Sequence, residues 1–164
     1  MENVQIVMGS ISDWQTLQKT AEVLTDLKIK YETKIISAHR TPARLTEFAE
    51  LALANGVQLI IAGAGGAAHL PGMLAANTVV PVIGVPVQSQ TLNGVDSLLS
   101  IVQMPAGVPV ATMAIGEAGA RNAGYLAAQL LGMADPEIQK QLISARQKMA
   151  ADVLASEEAL HHES

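Results

Sequence analysis

Val57-Gln-Leu-Ile-Ile-Ala-Gly-Ala-Gly-Gly-Ala-Ala-His69 is the stretch on which the fold turns. Val57 to Ala62 is apolar except for Gln58, with no alternation of inward and outward positions. A short strand of that kind is covered on both faces, which is the condition inside a parallel sheet. It runs into a glycine-rich loop ending at His69, and a short helix is expected over 68–76.

The same pattern recurs on either side. Val4 to Met8 reads as a first buried strand, followed by Gly9-Ser-Ile-Ser-Asp13. Trp14, Leu17, Ala21 and Leu24 then recur at helical spacing, and Ser12 with Gln15 predicts a capping box that starts the helix near residue 12. Tyr31 to Ser37 reads as a second strand, with Thr41 as N-cap and Pro42 at the first position of the next helix. Leu45, Phe48, Ala49 and Ala52 form its apolar face, and Asn55-Gly56 stops it. Strands are expected at Val80–Val85 and Val108–Ala114, joined by a helix near Val95–Val102. Helices near 117–131 and 136–155 complete the chain.

Strands alternating with helices imply a three-layer α/β fold, a parallel sheet with helices on both faces. Five strands favour the flavodoxin-like, Rossmann-like order 2-1-3-4-5 with an extra C-terminal helix. A length of 164 residues fits a single domain, expected over 1–155, with 156–164 as a flexible tail. In this order strands 1 and 3 are neighbours with opposite winding beyond them, and ligands gather outside their carboxyl ends. The loops at 9–13, 37–41 and 63–69 therefore converge on one site.

Composition narrows what that site can do. Charged residues are 15% of the chain, against roughly 25% for an average domain. Between Glu50 and Glu117 only Asp96 carries a formal charge. Polar and glycine interruptions break every apolar run well short of a membrane span, so buried sheet and an oligomer interface are the expected uses of this stretch. A net charge of −5 and four aromatic residues (Trp14, Tyr31, Phe48 and Tyr125) argue against nucleic-acid binding. The absence of cysteine excludes thiolate catalysis and thiolate metal sites and fits a cytoplasmic protein. No signal peptide is expected.

Each loop carries a distinct chemistry. Ser10 and Ser12 lie at a helix N-terminus, where free N–H groups and the dipole favour phosphate, and Asp13 suits ribose hydroxyls better than an anion. Ser37-Ala38-His39-Arg40 adds a guanidinium able to hold phosphate bidentately and a histidine able to exchange a proton near neutral pH. Gly63-Ala-Gly-Gly-Ala-Ala68 matches G-x-G-x-x-G/A, but no acidic residue follows about 20 positions on, which argues against a dinucleotide. Its glycines instead let backbone pack against a flat ligand. His69 is either a second proton carrier or a hydrogen-bonding group at a helix start. Two histidines without a nearby carboxylate do not make a metal site, and no serine has the partners of a hydrolase triad. The reading is a nucleotide-processing site with acid–base chemistry, no metal and no cofactor.

At these residues a family resemblance emerges. Gly-Ser-x-Ser-Asp at 9–13, Ser-Ala-His-Arg-Thr-Pro at 37–42 and Ala-Gly-Ala-Gly-Gly-Ala-Ala-His-Leu-Pro-Gly-Met at 62–73 resemble class I PurE, the N5-carboxyaminoimidazole ribonucleotide mutases of purine biosynthesis. Pro-Val-Ile-Gly-Val-Pro at 81–86, Gly-Val-Asp-Ser-Leu at 94–98, Ser-Ile-Val-Gln-Met-Pro at 100–105 and Ala-Ile-Gly-x-Ala-Gly-Ala at 114–120 extend it over all but the last thirty or so residues. The animal-type carboxylase branch has Lys after the corresponding His, where this chain has Arg40, and lacks the Gly-Gly-Ala-Ala-His-Leu-Pro run.

The resemblance implies transfer of a carboxylate from the exocyclic nitrogen of an aminoimidazole ribonucleotide to ring C4. His39 would be the proton carrier. Ser10, Asp13 and Arg40 would be the main nucleotide contacts, helped by Ser12, Ser37 and Ala38. Gly65, Gly66, Ala67, His69 and Leu70 would line the carboxylate and base end. It also implies a homo-octamer in which the last helix reaches a neighbour. Ile11, Ala106 and Glu117 stand where the family often has a basic residue, which touches rim contacts rather than the chemistry. Direct carboxylation by free carbon dioxide and a noncatalytic flavodoxin-like binding module are the alternatives.

Overall fold

The computed structural model describes residues 2–162. Five parallel strands, β1 (Val4–Met8), β2 (Tyr31–Ile35), β3 (Leu59–Ala64), β4 (Val82–Pro86) and β5 (Ala111–Thr112), form one sheet in the order β2-β1-β3-β4-β5. The helices are α1 (Trp14–Asp26), α2 (Pro42–Ala52), α3 (Leu70–Ala76), α4 (Val95–Val102), α5 (Gly116–Gly132) and α6 (Pro136–His162). This is the expected fold class and strand order.

β1, β3 and β4 are buried throughout, as their apolar sequences require. Successive side chains point to opposite faces and feed two cores. Ile6 and Ile61 meet Leu17 and Leu24 of α1 and Ala120, Ala123 and Ala127 of α5. Val7, Ile60 and Ala62 meet Leu45 and Phe48 of α2, Leu70 and Leu74 of α3 and Ile101 of α4. Small residues bring α5 close to α1, where the buried Thr20 hydroxyl donates to the Ala120 carbonyl at 2.7 Å. Ile138, Leu142 and Ala145 of α6 pack on the outside of that layer.

Several boundaries differ from expectation for identifiable reasons. β2 ends at Ile35 rather than Ser37, because the Ser37 N–H turns to Thr41 Oγ1 at 3.0 Å. β5 is two residues long instead of spanning 108–114. It is an edge strand, and Pro109 has no N–H to offer a ladder. The last helix was expected to stop at 155, yet α6 continues to His162. No Gly or Pro follows Pro136, and the run is rich in Ala, Leu, Glu and Gln, so nothing local terminates it. Residues 156–162 thus extend a helix rather than begin a tail, and 163–164 lie outside the described residues.

The parallel register places the site. Met8 pairs with Ile35 on one side and Gly63 on the other, and Gly63 pairs with Val85. The carboxyl ends of four strands are therefore level, and the loops leaving them face one another.

Candidate active site

The first loop is built on a capping box, but not the expected one. Ser10, rather than Ser12, is the N-cap, of a single 3-10 turn over Ile11–Asp13 that precedes α1. Ser10 Oγ accepts from the Ser12 N–H at 3.4 Å, and Asp13 Oδ2 accepts from the Ser10 N–H at 3.1 Å. The tight turn shifts the reciprocal pair two residues upstream of Ser12 and Gln15. Asp13 is buried, and that burial raises its carboxyl above the usual carboxylate range; the Ser10 and Gly9 N–H groups and the Arg40 charge oppose the shift.

The second loop is a knot of short hydrogen bonds. Thr41 Oγ1 accepts from the Ser37 N–H and donates to the Ser37 carbonyl at 2.9 Å. Ser37 Oγ in turn accepts from the Arg40 N–H at 3.3 Å and from Arg40 Nε at 3.1 Å. Arg40 Nη2 crosses to the Gly9 carbonyl at 3.3 Å, tying the second loop to the first. The guanidinium is thereby held in place while its remaining N–H groups stay unengaged.

In the third loop Gly66 has φ +67°, a left-handed conformation that side-chain-bearing residues rarely adopt. Ala68 donates to the Gly66 carbonyl and His69 to the Ala67 carbonyl, both at 2.8 Å, so the chain curls tightly before α3. His69 occupies the cap position of α3 but its ring makes no capping bond there. Instead its Nδ1 lies 2.8 Å from His39 Nε2, with the rings edge-on at 80° and centroids 4.9 Å apart. Such a bond requires one ring to donate and the other to accept.

Ser10, Ser12, Asp13, Ser37, Ala38, His39, Arg40, Gly65, Gly66, Ala67, His69 and Leu70 all line one cavity of about 400 Å³. Ala38 and Leu70 are buried, and Leu70 also belongs to the core under α3. Gly9 and Ala64, inside the expected loops but not singled out there, line the cavity too, and sequence reasoning missed Val87, Gln88 and Ser89, which form a fourth wall beyond β4. The available signal was the strand order itself, since β4 lies beside β3 and its exit loop opens on the same side. Among the described residues, no cluster of three or more His, Asp or Glu could hold a metal ion.

The cavity thus combines anion donors, one acceptor carboxylate, a linked pair of imidazoles and a wall without charge. The family described as AIR carboxylase matches residues 3–152. The chain belongs to the AIR carboxylase family. The N5-carboxyaminoimidazole ribonucleotide mutase of Bacillus subtilis (strain 168) is 57% identical over 157 residues, 96% of this chain and 97% of that protein. Its counterpart of the same name in Escherichia coli (strain K12) is 59% identical over 151 residues, 92% of this chain and 89% of that protein. Among solved structures, Treponema denticola PurE superposes with a TM-score of 0.86 at 28% identity, covering 96% of this chain and 97% of its own. The mutases among these relatives bear the name of the group, class I PurE, that the three loop motifs resemble.

Proposed function

We propose that this chain is an N5-carboxyaminoimidazole ribonucleotide mutase, moving a carboxylate from the exocyclic nitrogen to C4 of the imidazole in purine biosynthesis. The observation that carries this reading is the hydrogen-bonded His39–His69 pair in a cavity that Arg40 and the uncharged Gly65–Ala67 segment also line. Arg40, Ser10, Ser12 and Ser37 would hold the phosphate, with Ala38 beside it, and Asp13 would accept from the ribose. Identities of 57% and 59% to two mutases, over 96% and 92% of this chain, support the same assignment.

The chemistry needs one proton carrier. His39 gives a proton to the carbamate nitrogen, the C–N bond breaks, and carbon dioxide leaves with the bonding pair retained by the aminoimidazole nitrogen. Ring C4 then attacks the carbon dioxide, and His39 takes back the C4 proton, so atoms and charge balance over the cycle. Proton transfer of this kind contributes about 10²–10⁴-fold. Keeping carbon dioxide beside its acceptor makes the second step effectively unimolecular. His69 orients the His39 ring through their shared hydrogen bond. No cofactor enters these steps.

The protein works as a homo-oligomer, an octamer on the family resemblance. Val95, Leu99 and Val102 of α4 and Met149, Val153 and Leu154 of α6 are exposed large apolar residues that association would cover. Sedimentation equilibrium measures the subunit number. Among the described residues no helix is long and apolar enough to cross a membrane, and cytoplasmic residence is part of the proposal.

Purified protein given the N5-carboxylated nucleotide without bicarbonate should form the C4-carboxylated product. The decarboxylated nucleotide plus low bicarbonate should react poorly. The opposite preference would replace the mutase reading with direct carboxylation.

A further inference from the structure

We propose that Asp96 and Ser97, at the start of α4, are positioning residues that set the two uncharged loops of the cavity against His39. The Ser97 hydroxyl is fully buried and uses both of its hydrogen-bonding capacities. It accepts from the Gly66 N–H at 2.9 Å and donates to the Val87 carbonyl at 2.7 Å. One side chain thus clips the β3 loop to the β4 loop. Ser100 Oγ lies 3.3 Å from the Gly66 carbonyl while donating at 2.7 Å to the Asp96 carbonyl, so both polar groups of Gly66 face α4.

Asp96 does the same for the fourth wall. Its Oδ1 accepts from the Ser89 hydroxyl at 2.5 Å, and Ser89 Oγ accepts from the Gly94 N–H at 3.1 Å and the Leu92 N–H at 3.4 Å. The one formal charge between Glu50 and Glu117 is therefore spent on shaping the loop that brings Gln88 and Ser89 to the cavity. From Gly66 the short backbone bonds lead through Ala67 and Ala68 to His69, and from there to His39. A change at α4 reaches the proton carrier without any contact between them.

The consequence for the reaction rests on the trapped carbon dioxide described above. A displaced wall lets carbon dioxide escape, so turnover ends in decarboxylated nucleotide rather than product. Misplacement by about 1 Å can cost about 10²-fold.

The test uses Asp96→Ala, Ser97→Ala and the conservative Asp96→Asn, which keeps an oxygen to accept from Ser89. Two quantities are read: the ratio of decarboxylated to C4-carboxylated nucleotide formed from the N5-carboxylated substrate, and hydrogen exchange across residues 64–69 and 87–94. Both alanine variants should raise the ratio at least tenfold and speed exchange in those segments, and Asp96→Asn should restore the ratio toward that of the parent. A merely structural role would lower the amount of active protein and leave the ratio unchanged; that result in folded variants overturns the proposal. Should Ser97→Ala fail to fold, Asp96→Ala and Ser89→Ala carry the test. If the parent protein does not isomerise the substrate, the functional reading fails, and the exchange measurement alone decides the clip.

Discussion

Arg40→Ala removes the one guanidinium in the cavity and leaves the surrounding loops largely intact. Two of its five N–H groups are committed, Nε to Ser37 Oγ at 3.1 Å and one Nη2 hydrogen to the Gly9 carbonyl at 3.3 Å. Three remain on the Nη1 and Nη2 edge, enough for a bidentate grip on phosphate. A hydrogen bond to a charged group is worth about 1.5–3 kcal/mol net, and the exposed position of Arg40 argues for the lower end. Two such bonds give about 3 kcal/mol, or roughly 10²-fold in dissociation constant. The expected outcome is a rise of roughly that size in KM and in the dissociation constant of the product nucleotide by titration calorimetry, with kcat changed much less. Arg40→Lys should recover only part of the loss, since an ammonium cannot reproduce the fork. Melting behaviour should stay close to the parent, because the two lost tethers are exposed. Unchanged KM and product affinity in Arg40→Ala would refute the phosphate role.

Other predictions follow from neighbouring features. His39→Asn should lower kcat by about 10²–10⁴-fold while product binding and melting temperature persist, because the ring is exposed and its hydrogen bond goes to His69; near-normal turnover would remove it as proton carrier. Asp13→Asn should weaken nucleotide binding yet leave the fold as stable or more stable at pH 7. The raised carboxyl pKa means the folded state disfavours the ionised form, so native Asp13 loses stability as pH rises through the window above 3.8. Urea midpoints of parent and variant should therefore diverge on going from acid to neutral pH, and divergence in the other direction would contradict the sign. Gly119→Ala would drive its Cβ into the Ala114 carbonyl oxygen, so the start of α5 must move and the Thr20–Ala120 bond with it. It should cost about 3 kcal/mol or more by urea unfolding, and an unchanged midpoint would show that α5 is less constrained than its packing implies.

Where the sequence was read correctly, the signal was local. The apolar runs of β1, β3 and β4 reflect burial on both faces, and Pro42 after Thr41 marks a helix start without knowledge of any other element. The misreadings occur where the exact form of a turn, or a partner in another part of the sheet, decides. Ser12 was expected as the cap, and the 3-10 turn over Ile11–Asp13 makes Ser10 the cap instead. Pro109 and an edge position shorten β5, a consequence of sheet order rather than of residue preference. The fourth wall at Val87–Ser89 has no motif of its own and becomes part of the cavity because β4 ends level with β3.

The sequence by itself determined the alternation of strands and helices and the three loops that carry the chemistry, since hydrophobic period and capping are written in neighbouring residues. Tertiary structure alone decided how those loops meet. It tied Arg40 to Gly9, joined His39 to His69, raised the Asp13 carboxyl by burying it, and turned Asp96 and Ser97 inward to brace the uncharged wall. The Arg40–Gly9, His39–His69 and Ser97–Gly66 contacts join residues about thirty positions apart, fixed by parallel register and by the depth at which each side chain sits, and no short-range pattern records them.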